Sequence, residues 1–442
     1  MKVELVYPRS MVRMLVSFVC ALVFCGQLPA QAPPPASDAK QRMRTIRDLA
    51  KQGSESIPKI TPYLTDPDLS VRIEAVKGLV DIGTQYSLDP LIKATYDSDP
   101  EMQIRATDGL VNFYLPGYVK TGLSGSLHRV GTAIKGKFTD TNDQVIDIYV
   151  QVRPEVIQAL GRLARSSSSM DSRANAARAI GVLRGRAAIP DLVAALHSKD
   201  SEVIYEALIA LEKIRDPKAG ADVAFLLHDL DDRVQITALE ATGLLRYMPA
   251  APDVRDVLDN ARSVKIRRQA LETLAMLPDE ANRTYLTKYF DSKDEAMRAA
   301  AAEGIGRLKN PADVPMLEKA FNAESKMNPR LALAFALVED GKLDMSEFGP
   351  LRYLVNTLNS KAYQGVAQGY LVELAREPQI RQALYPAMAQ GTKDEKIQLA
   401  QVLARSGDKN SIPYVQTVAN DPDTDVAQAG LRSLRALKAR VQ

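Results

Sequence analysis

A helical pattern that recurs at a nearly constant interval along the chain constrains the fold more than any other feature. Residues 200–232 read DSEVIYEALIALEKIRDPKAGADVAFLLHDLDD, and the apolar positions that begin at Val203 recur in the next unit from Val234. Within a unit the apolar residues follow at i, i+4, i+7, i+8 and i+11, which is one stripe on an α-helix. Periods of roughly 20–50 residues are typical of repeat arrays such as stacked helix pairs. The sequence therefore predicts an all-α fold, a right-handed α-solenoid of roughly eleven helix pairs, with an arc on the order of 100 Å long.

The helix starts carry a second periodic signal. The apolar stripes begin at residues 71, 102, 172, 203, 234, 266, 297 and 329. An aspartate stands three residues before many of these stripes, where its carboxylate can accept unpaired backbone N–H groups of the new helix. These aspartates are Asp68, Asp99, Asp200, Asp231, Asp294 and Asp423. An arginine often follows the first stripe position, and we expect it to bridge to a capping aspartate of a neighbouring unit. These arginines are Arg72, Arg153, Arg173, Arg267, Arg298 and Arg330.

Length and composition agree with a repeat array. The chain has 442 residues, and a single hydrophobic core rarely grows beyond about 250–300 residues. A solenoid escapes that limit, because each unit contacts only its neighbours. The formal net charge of +3 falls to +1 without residues 1–32, which carry Lys2, Arg9, Arg13 and Glu4. A nearly neutral chain argues against binding to nucleic acid.

The N-terminus has the pattern of an export signal. Basic residues up to Arg13 precede the apolar run MLVSFVCALVFCG, which is followed by QLPAQA. This run is shorter than the roughly 20 residues of a membrane-spanning helix. We expect a signal peptide over residues 1–30 cleaved after Ala30, with Ala32 as the alternative, and a periplasmic or secreted protein. Cys20 and Cys25 are the two cysteines of the chain, so the processed protein would have neither disulfides nor thiolate chemistry.

The internal repeat resembles a known family. The pattern D-x-x-V-R-x-x-A-x-x-A/G-L/I-G-x-L is present in SRANAARAIGVL (172–183) and EAMRAAAAEGIGRL (295–308). It resembles the short HEAT-like repeat first associated with phycobilisome lyases, over roughly residues 55–440. The resemblance implies an all-α solenoid of HEAT-like helix pairs. It implies little about function, because repeats of this kind serve many unrelated roles.

One interval departs from the period. The gap between the stripes that begin at 102 and 172 is longer than two periods, and VRPEVIQALGRL (152–163) has the repeat pattern at less than one period before the second stripe. We interpret this as a distorted repeat. Residues 115–138 are rich in glycine and contain cations without any acid before Asp140. An irregular excursion is where binding residues tend to lie. The candidate binding residues are Tyr114, Tyr118, Lys120, Arg129, Lys135, Lys137 and Phe138; the alternative is a solvated loop.

The domain organisation follows from these features. We predict a signal peptide (1–30), a Pro-rich tether (31–40), an N-terminal cap with repeats (41–114), an irregular repeat with a Gly-rich basic insertion (115–165), and repeats with a C-terminal cap (166–442).

The sequence motifs that could indicate catalysis or metal binding lack the structural context that those functions need. Gly304 and Gly306 imitate part of a dinucleotide fingerprint, but they lie in a repeat helix with no preceding strand. His197 and His228 occupy equivalent positions in adjacent units, and a last-turn histidine is favoured by the helix dipole without any metal. We therefore expect no catalytic residues, no metal and no cofactor.

The sequence favours a non-catalytic scaffold that binds another protein. We expect a monomer with no nucleic-acid partner and no transmembrane segment in the processed chain, associated with the envelope surface. The first alternative is a binder of an anionic ligand or envelope polymer through residues 115–145. The second is an enzyme of the repeat-lyase type. The sequence does not identify the partner.

Overall fold

A computed structural model describes residues 38–118 and 144–441, which form α-helices joined by short turns and 3₁₀ segments. The helices of the first part are α1 (Ala39–Ala50), α2 (Ile57–Ile60), α3 (Leu69–Ile82), α4 (Leu88–Ala94) and α5 (Pro100–Tyr114). Those of the middle are α6 (Pro154–Ser166), α7 (Met170–Val182), α8 (Ile189–Leu196), α9 (Ser201–Ile214), α10 (Gly220–Val223), α11 (Asp232–Leu244), α12 (Ala251–Asp259), α13 (Val264–Met276), α14 (Arg283–Phe290) and α15 (Glu295–Arg307). The last are α16 (Val314–Ala323), α17 (Met327–Glu339), α18 (Pro350–Thr357), α19 (Gln364–Leu374), α20 (Pro378–Gln390), α21 (Lys393–Ser406), α22 (Ile412–Ala419) and α23 (Thr424–Val441).

The helices form two rows. Each odd-numbered helix from α1 to α23 packs on the next odd-numbered one, and each even-numbered helix packs on the odd-numbered helix that follows it. In the described part of the chain this makes eleven pairs, from α2–α3 to α22–α23, with α1 covering the first pair. One continuous core of buried aliphatic side chains runs between the rows. The predicted all-α solenoid is confirmed.

Carboxylate caps explain where six of the odd-numbered helices begin. The side chains of Asp99, Asp200, Asp231 and Asp294 each accept hydrogen bonds from two backbone N–H groups of the following helix. Asp423 does the same at α23, and Asp68 accepts one such bond, from the N–H of Ser70. A cap of this kind contributes about 1 kcal/mol. The helix starts are therefore fixed by local chemistry.

The interval between stripes 102 and 172 contains an insertion rather than a distorted repeat. Helix α5 packs directly on α7, and α6 pairs with α7 and also contacts α4. Residues 152–163 are thus mostly the even-row helix of a regular pair, which explains why they lie close to the next stripe. The predicted boundary at residue 165 falls inside α6 (Pro154–Ser166). The insertion spans residues 115–153, and its described end returns along α7, where the N–H of Ile146 donates to the Val182 carbonyl at 3.0 Å.

The odd row is strongly curved. Packed helices lie about 8–10 Å apart, so four steps along a straight row would span about 30–40 Å. Arg246, just after α11, nevertheless lies 2.7 Å from Glu373 of α19, four steps along the row. Tyr370 of α19 likewise reaches Glu303 of α15 at 2.5 Å. The odd helices must therefore line the concave side of the solenoid. The array is more strongly curved than the open arc of about 100 Å that the helix spacing alone predicted.

Close helix approach gives a first testable prediction. A Cβ atom on Gly306 of α15 would lie 2.4 Å from the Cα atom of Ala336 in α17, whereas a Cβ atom on Gly369 of α19 would meet nothing within 4 Å. We expect Gly306→Ala to destabilise the protein by about 1–3 kcal/mol through overpacking. The control Gly369→Ala should stabilise it by up to about 1 kcal/mol, because alanine favours helix. Urea denaturation of both variants measures this; equal stabilities would contradict the close approach of α15 and α17.

Candidate functional site

The residues predicted as a binding site lie largely outside the described part of the chain. Lys120, Arg129, Lys135, Lys137 and Phe138 lie outside the described residues, so that hypothesis stays a prediction.

The two tyrosines of the predicted site are described. The hydroxyl oxygen of Tyr114 accepts the backbone N–H of Arg153 at 3.1 Å, and its ring packs edge-on against Phe113, with centroids 4.9 Å apart. Tyr118 is partly buried against the core. Tyr114 thus holds the two ends of the insertion together.

The stripe arginines bridge adjacent units, but through different acids than predicted. Arg72 lies 2.9 Å from Asp97, and Arg298 lies 2.9 Å from Glu324. Both acids, Asp97 and Glu324, stand before the start of the next odd helix. Arg72 therefore pairs with Asp97 and not with the capping residue Asp99. In both pairs the acid stands two residues before the N-cap, and at the second helix the N-cap is Lys326, which offers no carboxylate.

Other arginines of this set depart from the pattern. Arg173 donates to the carbonyl of Ala164, Arg153 pairs with Asp89 and Glu155, and Arg330 lies over the Phe321 ring. At Arg267 the neighbouring side chain takes the expected role: Arg268 lies 2.6 Å from the capping carboxylate of Asp294.

The two described histidines do not face each other. The His197 ring stacks on Phe225 with centroids 4.7 Å apart, and His228 lies 4.0 Å from Asp256. Within residues 38–118 and 144–441 no group of three or more histidine, cysteine, aspartate or glutamate side chains is arranged to hold a metal ion.

Four glutamates lie on four consecutive odd-numbered helices, one on each. We call Glu212 (α9), Glu240 (α11), Glu272 (α13) and Glu303 (α15) the glutamate row. Burial and the charge of Glu240 raise the pKa of Glu212 well above its usual value. Burial also raises the pKa of Glu240. Burial, together with Glu303 and Glu240, raises the pKa of Glu272 to about 7. The row is therefore a set of mutually repelling carboxyl groups partly removed from water.

Glu212 is the most deeply placed member of the row. Its side chain is 9% exposed, and its Oε1 atom is buried with no hydrogen-bond partner. Arg215 and Lys213 on the same stretch lower the pKa of Glu212 in part, but burial outweighs them. A buried polar atom without a partner costs free energy and needs a physical account.

Glu303 differs from the other three because the chain supplies its partners. Arg307 lies 3.0 Å from Glu303 and 2.9 Å from Glu373, and the Tyr370 hydroxyl donates to Glu303 at 2.5 Å. Burial lowers the pKa of Arg307, but Glu303 and Glu373 outweigh it, so the pKa lies above its ordinary value. One guanidinium and one phenol thus neutralise the last position of the row.

Cations in an unusual backbone conformation mark the ends of four odd helices. Arg184, Arg215, Arg246 and Lys309 have φ values between 49° and 54°. This left-handed region is usually occupied by glycine, so each residue carries backbone strain. A cation there interacts favourably with the C-terminal end of the helix dipole. Arg246 and Lys309 pair with Glu373 and Glu339.

The glutamate row had a signal in the sequence. Glu240, Glu272 and Glu303 each stand nine residues after the N-cap of their helix, at Asp231, Ser263 and Asp294. A polar residue that recurs at one register of a repeat lies on one face of the array. The row belongs neither to the apolar stripe nor to the residues next to the caps, so neither of those two patterns predicts it.

Comparison with known proteins gives a family. The model of the HEAT repeats matches residues 35–111, 157–243 and 251–338, which together are more than half of the chain. A search of curated proteins finds no match. Across residues 38–118 and 144–441 no helix is both long and apolar enough to cross a membrane.

Several solved structures are similar at low sequence identity. The complex of CpcE and CpcF of phycocyanin lyase from Nostoc sp. PCC7120 is 18% identical, with 59% of this chain and 90% of that chain covered and a TM-score of 0.36. The YibA protein of E. coli is 14% identical, with 70% and 98% covered and a TM-score of 0.41. A mutant of Kap121p is 14% identical, with 92% and 56% covered and a TM-score of 0.42. Similarity at this level carries no argument about function.

Proposed function

Because the chain belongs to the HEAT-repeat family, we propose that it is a non-catalytic scaffold that binds another protein in the concave surface of its odd row. The observation that carries this proposal is the curvature of that row, in which Arg246 of one unit contacts Glu373 four helices further on. A curved row of helices offers a long recessed surface to one partner, which is how solenoids generally use their concave side. Carboxylates on the concave side make that surface polar and specific.

Two clefts of the described residues are small. They have volumes of about 170 and 200 Å³, below the 300–1,000 Å³ usual for small-molecule sites. The first is lined mainly by apolar side chains and backbone between α3 and α5.

We place the scaffold outside the cytoplasm, in the periplasm or the medium. The support is the basic-then-apolar pattern of residues 1–30, which precedes the Pro-rich run QAPPPASDAK (31–40). Fractionation of cells expressing the full chain tests this part separately: mature protein shortened by about 30 residues should be found in the periplasm or medium.

Site-specific photo-crosslinking tests the binding surface. Lys77 of α3 stands nine residues after its N-cap Asp68, the register of Glu240 in α11. Gln401 of α21 has the same register relative to Thr392. A photo-crosslinking amino acid at Lys77 or Gln401 should capture a protein partner in the intact envelope. Met316 and Tyr414 on the even row, 37% and 41% exposed, provide matched positions that should capture much less.

The outcome decides the proposal. Capture confined to the odd-row positions supports a concave binding surface. Equal capture from both rows, or capture from Met316 and Tyr414 alone, would overturn it.

A further inference from the structure

The geometry points to an extended basic segment of the partner protein, which we infer binds along Glu212, Glu240 and Glu272. This inference rests on the proposed function and names the chemistry of the partner at that surface. Among the described residues none of these three carboxylates has a hydrogen bond or an ion pair, and they lie on three consecutive odd helices. Glu240 and Glu272 share one register of their helices, and Glu212 stands three residues further along its own helix. Three acids on adjacent odd helices therefore remain available to a ligand.

Glu303, the fourth member of the glutamate row, has hydrogen-bond and ion-pair partners that the other three members lack. At Glu303 the chain itself provides a guanidinium, that of Arg307, and a hydroxyl donor, that of Tyr370. Charge-assisted hydrogen bonds of this kind are stronger than neutral ones. At Glu212, Glu240 and Glu272 a partner's lysine or arginine side chains would take the same role.

The unpartnered oxygen of Glu212 is an independent observation that points to a ligand. Glu212 Oε1 is buried without a hydrogen-bond donor, and the side chain is only 9% exposed. A buried carboxyl oxygen without a hydrogen-bond donor costs free energy, and a ligand that supplies a donor removes this cost. A lysine or arginine from a partner provides both the donor and the countercharge.

Other ligand chemistries are less compatible with the row. The acids are spread over three helices rather than gathered, and the described residues hold no metal-binding group of three. Nucleic acids and other polyanions would be repelled by the row. A polypeptide with separated cations is the ligand class that remains.

The helix spacing suggests how the cations are arranged along the partner. Consecutive packed helices lie about 8–10 Å apart. A polyproline II segment rises about 3.1 Å per residue with three residues per turn, so every third side chain lies on one face at intervals of about 9 Å. A segment with lysine or arginine at every third position therefore presents one cation to each helix.

Binding should be accompanied by proton release near neutral pH. Burial, Glu303 and Glu240 raise the pKa of Glu272 to about 7, so this carboxyl group is partly protonated near neutral pH in the free protein. An arriving cation favours its ionised form and releases that proton. The charged groups that face the row are Arg215 and Lys213 near Glu212, Arg268 and Asp294 near Glu272, and Arg307 at Glu303. A surface whose acids were already ionised would release no protons.

Calorimetry with a defined peptide tests the inference. The probe is a labelled peptide of four Lys-Pro-Pro units, titrated into the full-length protein at pH 7 in buffers of different ionisation enthalpy. Binding should weaken about tenfold or more in Glu240→Gln/Glu272→Gln. The matched control Glu55→Gln/Glu347→Gln removes two exposed charges elsewhere and should bind as the wild type does. The observed heat should change with the buffer, which measures proton release.

The results separate this inference from the proposed function. Loss of binding in the row variant alone, with proton release, supports the inference. Binding that is equal in both double variants, no binding of the peptide at all, or equal binding of a peptide with lysine at every second position would overturn it. If the odd-row crosslinks persist in any of those cases, the scaffold function stands and only the partner's chemistry is wrong.

Discussion

Replacing Arg307 by methionine should destabilise the protein by about 3–5 kcal/mol and open the curvature of the odd row. The Arg307 side chain is 8% exposed, and its guanidinium contacts Glu303 at 3.0 Å and Glu373 at 2.9 Å. It also donates to the carbonyl of Ala275 at 3.1 Å. Methionine would leave Glu303 without a cation and Glu373 with Arg246 alone. The repulsion between the two partly buried carboxylates would push α15 and α19 apart. Chemical denaturation and the radius of gyration from small-angle X-ray scattering measure the two effects.

An exposed ion pair provides the control for Arg307. Lys51 lies 3.0 Å from Asp48, but the two side chains are 77% and 70% exposed. Lys51→Met should change stability by no more than about 0.5 kcal/mol and leave the radius of gyration unchanged. If Arg307→Met were as stable and as compact as Lys51→Met, the contacts of Arg307 would not be what holds the curvature.

The pairing of helices could be predicted from the sequence because its causes are local. A capping carboxylate such as Asp200 acts on N–H groups two and three residues away. An apolar stripe such as that from Val203 to Ile214 needs only the helical period. Each unit contacts its nearest neighbours in the chain, so repeated local signals determine the stacking.

The curvature and its contacts could not be predicted in the same way. Arg246 and Glu373 are 127 residues apart, and their contact depends on small rotations summed over four units. No residue within a single unit indicates how large the total rotation over four units will be. The partners of the stripe arginines were also missed, because Asp97 and Glu324 stand two residues before the N-cap and not at it.

The insertion shows a limit of period counting. The sequence interval suggested a distorted repeat, whereas α5 packs on α7 as regularly as other odd helices do on their neighbours. A solenoid tolerates an insertion between α5 and α6, because a longer connection costs little free energy. Tyr114 and Arg153 mark its ends, joined by a hydrogen bond of 3.1 Å.

Replacing Glu272 by glutamine should stabilise the protein by about 2–3 kcal/mol above pH 7 and by almost nothing below pH 4.5. Burial, Glu303 and Glu240 raise the pKa of Glu272 from 4.5 to about 7, against the smaller opposing effect of Arg268. Between these values the folded chain keeps a proton that the unfolded chain has lost. The free energy of unfolding of the wild type therefore falls as pH rises from 4.5 to 7, and the full penalty remains above pH 7. Glutamine carries no charge at any pH, so the substitution removes this penalty.

Urea denaturation of the wild type and Glu272→Gln at several values between pH 4.5 and pH 8 measures this difference. Glu347→Gln, in the exposed loop before α18, is the control and should stay within about 0.5 kcal/mol of the wild type throughout. A constant difference between Glu272→Gln and the wild type across the range would mean that Glu272 is ionised as in water. The row would then be an ordinary solvated acidic surface, and binding of a basic segment would release no proton from it. The pH dependence of stability in the free protein is thus an independent check on the proton release expected in the complex.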